Sequence, residues 1–160
     1  MTKKQPPIWL TWVLALIVGP GILVYAIIGL IDTGRHRSQQ PASIEELVDK
    51  LQDQLPKVTR YNHFILTQTG LEIHGDTLLY SFQMEAPDTI LALFRKPEFI
   101  SMFREETLQG VIIDYKRSLL GEMACDARMV LSSRIYDKNG APLYSIDYGP
   151  SDYLPLLNKE

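Results

Sequence analysis

Cysteine occurs once in this chain, as Cys125, so no intrachain disulfide can form and packing alone has to hold the fold. The same scarcity leaves no pair for a zinc ribbon or a dithiol motif. Cys125 also lies too far from the amino terminus to be a lipoprotein attachment site. Histidine is nearly as rare. His36, His63 and His74 show no i, i+4 spacing and no neighbouring cysteine, so no metal centre is expected. Serines occur without a G-x-S-x-G elbow. No repeat of solenoid period and no low-complexity tract is present. The absence that organises the chain is one of charge: residues 8–31 contain no Asp, Glu, Lys or Arg.

That run, IWLTWVLALIVGPGILVYAIIGLI, satisfies the length rule for a membrane-spanning helix, about 20 apolar residues for a hydrocarbon core of about 30 Å. Trp9 and Trp12 sit at one end, where amphipathic rings favour the headgroup level. The run is longer than a signal-peptide h-region and no A-x-A-like site follows it. Gly19, Pro20 and Gly21 interrupt its middle. Pro20 removes one backbone bond and predicts a kink, and groups freed in lipid need a neighbour, so these three residues are the expected membrane-packing site. A re-entrant hairpin turning at Gly19–Gly21 is the other reading. Lys3 and Lys4 precede the run, and Arg35 and Arg37 follow it. A short basic head that stays in the cytoplasm puts the C-terminal part in the periplasm of a bacterium, on a single-pass inner-membrane anchor.

The predicted organisation is a basic head (1–7), the transmembrane anchor (8–31), a polar stem (32–42), one α+β domain (43–150) and a tail (151–160). From residue 43 onward there are 12 Lys and Arg against 18 Asp and Glu, a formal charge of −6. An interspersed acidic surface argues against nucleic acid and against a domain lying on anionic lipid.

Ser43-Ile44-Glu45-Glu46 is a capping-box pattern, and Ile44, Leu47, Val48, Leu51 and Leu55 follow at helical spacing up to Pro56. Residues 59–84 read as a β-hairpin with a bulge at Gly70 and turn chemistry at His74-Gly75-Asp76-Thr77. Leu78, Tyr80, Phe82 and Met84 alternate with more polar positions. Residues 88–123 carry helical periodicity, with Pro97 suited to a first turn. Residues 128–137 alternate again, Asn139-Gly140 signals a hairpin, and residues 143–148 return. The expected fold is α+β: a four-stranded antiparallel sheet with helices on one face.

No catalytic residue or cofactor is expected. His63, His74 and Asp76 are the set an enzyme would have to use. Cys125 reads as a buried structural thiol. Asp137-Lys138-Asn139-Gly140 resembles the opening of a calcium loop but lacks the later acidic ligands, and the turn explains it. Tyr136, Tyr144 and Tyr148 are the candidate partner-binding residues, because half-exposed tyrosines on a sheet make good contact surfaces.

Leu55-Pro56, the strand at 78–82 and the Tyr136-Asp137-Lys138-Asn139-Gly140 turn followed by Leu143 and Ile146 give the soluble part a resemblance to small membrane-anchored bacterial envelope proteins of unassigned function. Those proteins tend to carry a cysteine pair around the last hairpin, where this chain has only Cys125. The resemblance implies a fold and carries over no functional residue. The function expected is that of a membrane-anchored protein-binding module, an accessory or assembly subunit of a bacterial membrane complex whose partner is itself membrane-associated. An immunity-type inhibitor of an envelope toxin and a small-ligand sensor are the alternatives.

Overall fold

The computed structural model describes residues 43–60 and 63–157. The anchor at 8–31, with Gly19, Pro20 and Gly21, lies outside the described residues. No described helix is long and apolar enough to cross a membrane.

Helix α1 (Ile44–Gln52) starts where the capping residue places it: the Glu46 N–H donates to Ser43 Oγ at 3.2 Å. Leu47 and Val48 are buried, while Glu45, Asp49 and Lys50 face solvent. Lys50 pairs with Glu46 one turn back at 2.6 Å.

Five strands follow: β1 (Lys57–Arg60), β2 (Ile65–His74), β3 (Thr77–Glu85), β4 (Val130–Asp137) and β5 (Pro142–Tyr148). They lie in the sheet in chain order. β1·β2, β2·β3 and β4·β5 are antiparallel, but β3 and β4 are parallel. The expected four-stranded antiparallel sheet is therefore corrected to a five-stranded mixed one. The cause is the connection. Between β3 and β4 the chain runs through α2 (Asp88–Leu91), a 3-10 turn (Ala92–Arg95), α3 (Pro97–Arg117) and α4 (Leu119–Asp126). That helical crossover carries the chain back to the end where β3 began, so β4 runs the same way. The extra strand, β1, follows Pro56 directly. The Gly70 bulge occurs as expected, as a register shift between Gln68 and Gly70.

Residues 151–157, expected to belong to the tail, form helix α5 together with Pro150 (Pro150–Leu157). Pro150 suits a first turn, and the Gly149 N–H donates to Asp152 Oδ2 at 2.9 Å. Tyr153 seals this helix to the domain: its ring is fully buried and its hydroxyl donates to the Met129 carbonyl at 2.8 Å.

One core joins all of this. Leu66, Leu71, Leu78, Tyr80, Phe82, Met84, Leu131, Ile135, Ile146 and Tyr148 on the sheet share a cluster with Leu47 and Val48 of α1, Phe99, Phe103 and Val111 of α3, Leu120 of α4 and Tyr153 of α5. The buried apolar strand positions fall on one side of the pleat, and the helices pack on that side, as expected; Ser132, also buried, lies on the other. Each fully buried large apolar side chain contributes about 1.5–3 kcal/mol.

Candidate protein-binding face

The register fixes what lies on the other side of the sheet. Val58 pairs with Thr67, Thr67 with Gln83, and Gln83 with Tyr136, which makes one row across four strands. A second row runs Glu72, Leu79, Ser132 and Asp147. Side chains alternate between faces, so Val58, Ile65, Leu79, Val130 and Tyr136 share the face opposite the core. Ile65, Leu79, Val130 and Tyr136 are half-buried, and none belongs to the core cluster. Val58, on edge strand β1, is 51% exposed and is the only large hydrophobic residue in the exposed class among the described residues. Leu79 pairs with Ser132, which makes Val130 its diagonal neighbour. Thr67, Ser81, Gln83 and Arg134 separate these apolar residues. A mixed composition of this kind is what non-obligate protein interfaces carry.

A charged network stiffens one end of the face. Asp147 Oδ1 accepts from Ser132 Oγ at 2.6 Å and from Arg134 Nη1 at 2.8 Å. These two hydrogen bonds hold the Asp147 carboxyl below its usual range, against a smaller opposing effect of burial. At the far end of the β4–β5 hairpin, Asp137 Oδ1 accepts from the Asn139 and Ala141 N–H groups of the turn, both at 2.8 Å. Gly140 takes a φ of +82°, which suits glycine at that position. The residues that resembled a calcium loop are thus spent on closing the hairpin.

The three candidate tyrosines are not brought together. Tyr136 lies on the open face opposite Gln83. Tyr144 pairs with Ile135, not with Tyr136, and so faces the helices. Its ring packs 5.5 Å from Phe103 and 6.2 Å from Phe94, and burial pushes its hydroxyl up, partly offset by Arg104. Tyr148 is 2% exposed. Its hydroxyl is shared with Thr107 Oγ1 and donates to the Arg104 carbonyl at 2.5 Å, while the Arg104 guanidinium lies 5.1 Å over its ring. The expected half-exposed surface gives way at Tyr148, because β5 turns this side chain inward against α3.

His63, His74 and Asp76 do not converge. His63 precedes β2 and His74 ends it, about 35 Å apart along an extended strand. His74 Nε2 lies 2.8 Å from Glu72 Oε2, and Asp76 Oδ1 accepts from its neighbour Thr77 at 3.3 Å. Among the described residues no three His, Cys, Asp or Glu side chains are placed to hold a metal ion. Glu72, His74, Glu45 and Asp49 rim an open groove of about 330 Å³ floored by Val48 and Ile73, which is shallow and acidic.

One polar feature escaped sequence reading. Asp114 of α3 is 6% exposed, and its Oδ1 has no hydrogen-bond partner among the described residues. Burial pushes its carboxyl up to about 6, against a smaller lowering by the Ser118 hydroxyl. Cys125 lies on the adjoining helix. Its thiol is buried as expected and pushed up to about 12 by burial and by the nearby Asp114 and Asp126 charges, so it is not a nucleophile at neutral pH.

No family model and no curated protein matches this chain. Among solved structures, a Pseudomonas aeruginosa protein described as secreted aligns at 10% identity with a TM-score of 0.50, over 68% of this chain and 91% of its own. This likeness is one of fold. The type II secretion pilotin EpsS of Vibrio vulnificus aligns at 12% identity with a TM-score of 0.45, over 84% of this chain and 96% of its own. The pilotin AspS of Vibrio cholerae aligns at 11% identity with a TM-score of 0.40, over the same shares.

Proposed function

We propose that this chain is a membrane-anchored protein-binding module, an accessory or assembly subunit of a bacterial membrane complex, and that it works through the open face of its sheet. The observation that carries this reading is the placement of Ile65, Leu79, Val130 and Tyr136 on a sheet face that no described helix covers, with exposed Val58 at its edge. A purely solvated face would be polar throughout, as antiparallel sheets with one wet side usually are. The charge-free run at 8–31 supplies the anchor, with its domain in the periplasm. Gly19, Pro20 and Gly21 are the residues of that run proposed to pack against another membrane segment, since proline frees a backbone group that lipid cannot satisfy.

Gentle detergent extraction of the tagged full-length protein, with its companions identified by mass spectrometry, tests this reading. A membrane protein recovered in stoichiometric amount is the expected result; recovery of the chain alone contradicts it. Deleting residues 1–31 separates the subunit from an immunity-type inhibitor. A subunit loses its place without the anchor, whereas an inhibitor keeps its partner as a free domain.

A further inference from the structure

The α3–α4 elbow holds a buried acid that the proposed docking face does not use. α3 ends and α4 begins at Ser118, whose N–H donates to the Asp114 carbonyl at 2.8 Å. Its hydroxyl oxygen accepts from the Gly121 N–H at 2.9 Å and so caps α4. Gly121 sits directly against Asp114: a Cβ at that position would fall 2.7 Å from both the Asp114 carbonyl carbon and Oδ2. The carboxyl is thus wedged between two helices in van der Waals contact, with Oδ1 unsatisfied. An ionised carboxylate in that position has lost its water and gained no cation.

We propose that Asp114 is a proton-operated latch on this elbow: α4 packs tightly against α3 when the carboxyl is protonated and loosens when it ionises. The surroundings leave this titration to Asp114 alone. From α4 the facing group is the Cys125 thiol, which stays neutral across the relevant range. Beyond it lies Tyr153 of α5, whose hydroxyl is occupied by the Met129 carbonyl and pushed up to about 12, chiefly by burial. α1, which packs on α4, turns Leu47 and Val48 inward and keeps Glu45, Asp49 and Lys50 in solvent. On the elbow helices themselves Lys116, Arg117, Glu122 and Asp126 are exposed. Asp114 Oδ1 has no hydrogen-bond partner among the described residues, and the influences on its carboxyl are burial and the Ser118 hydroxyl. With Asp114 titrating near 6, the latch shuts on the acidic side of neutrality and opens on the other. For a domain outside the cytoplasmic membrane, the proton concentration that matters is that of the surroundings.

The test is backbone hydrogen exchange of the full-length protein in detergent micelles, followed by mass spectrometry from about pH 5 to pH 8 and corrected for the intrinsic exchange rate. Residues 119–126 should lose protection by about tenfold as pH rises through the Asp114 transition, and Asp114→Asn should abolish the step. Ser118→Ala removes the bond that favours the ionised form and should move the midpoint to higher pH; the midpoint, not the overall protection, is the readout. A wild-type profile without a step, or a step that persists in Asp114→Asn, overturns the proposal. Should Asp114→Asn fail to fold, an unmoved midpoint in Ser118→Ala overturns it equally.

Discussion

Gly121 and Asp114 touch so closely that no side chain fits between them: a methyl group on Gly121 would stand 2.7 Å from the Asp114 carbonyl carbon and 2.8 Å from its oxygen. These are backbone atoms of a helix and cannot swing aside. Gly121→Ala should therefore destabilise the domain by about 3 kcal/mol, in the upper range for overpacking, despite alanine's better helix propensity. Urea unfolding of the two proteins, followed by circular dichroism, measures this.

Asp114 fixes the sign of a pH dependence. Its folded pKa of about 6 lies above the ordinary 3.8, so the folded state holds the proton more tightly. Stability from this group is full below the unfolded value and is lost as pH rises from about 4 to about 6, by on the order of 2–3 kcal/mol. Asp114→Asn should flatten that interval and leave the protein more stable at neutral pH than the wild type. Thermal unfolding at a series of pH values checks both statements.

Asp147 acts in the opposite direction. Ser132 and Arg134 hold its folded pKa below the ordinary range, so it adds stability above that range and loses it as pH falls through the lowered value. Asp147→Asn should abolish this acid-side loss and cost little at neutral pH, since the pair with Arg134 is largely solvent-exposed. Acid unfolding of the variant beside the wild type would show it.

The hydroxyl of Tyr148 ties β5 to α3 through Thr107 and the Arg104 carbonyl. Tyr148→Phe leaves buried polar groups without a partner and should cost about 1–2 kcal/mol, with the ring packing preserved. Thr107 keeps its bond to the Phe103 carbonyl at 2.7 Å, which limits the loss. Equilibrium unfolding, together with unchanged far-ultraviolet dichroism, is the check.

Local chemistry made much of the fold legible. Ser43 announced α1, the alternation at Leu78, Tyr80, Phe82 and Met84 identified the core face of β3, and Asn139-Gly140 marked the last hairpin. β1 stayed hidden because Lys57-Val58-Thr59-Arg60 has one apolar residue and only four positions in which to show a period. α5 stayed hidden because Gly149-Pro150 reads equally as the end of a strand or the start of a helix; Asp152, two residues past Pro150 and capping backward, was the signal that could have decided it. The parallel pairing of β3 with β4 has no local signature, since either direction buries the same alternating residues. The docking face was half legible. Type and alternation pick out Tyr136, but Tyr144 and Tyr148 share its type and only the register, which pairs them with core-facing Ile135 and Leu131, puts them on the other side. Asp114 was invisible because one aspartate in a helical run reads as a wet face.

The open sheet face is the central claim, and a photoactivatable cross-linking residue placed in living cells tests it most directly. Installed singly at Leu79, Val130 or Tyr136 in the full-length protein, it should give a discrete cross-linked partner. Installed at Glu98 or Gln109, exposed on α3 on the helical side, it should give none. Adducts from the helical positions with none from the sheet positions would contradict the account.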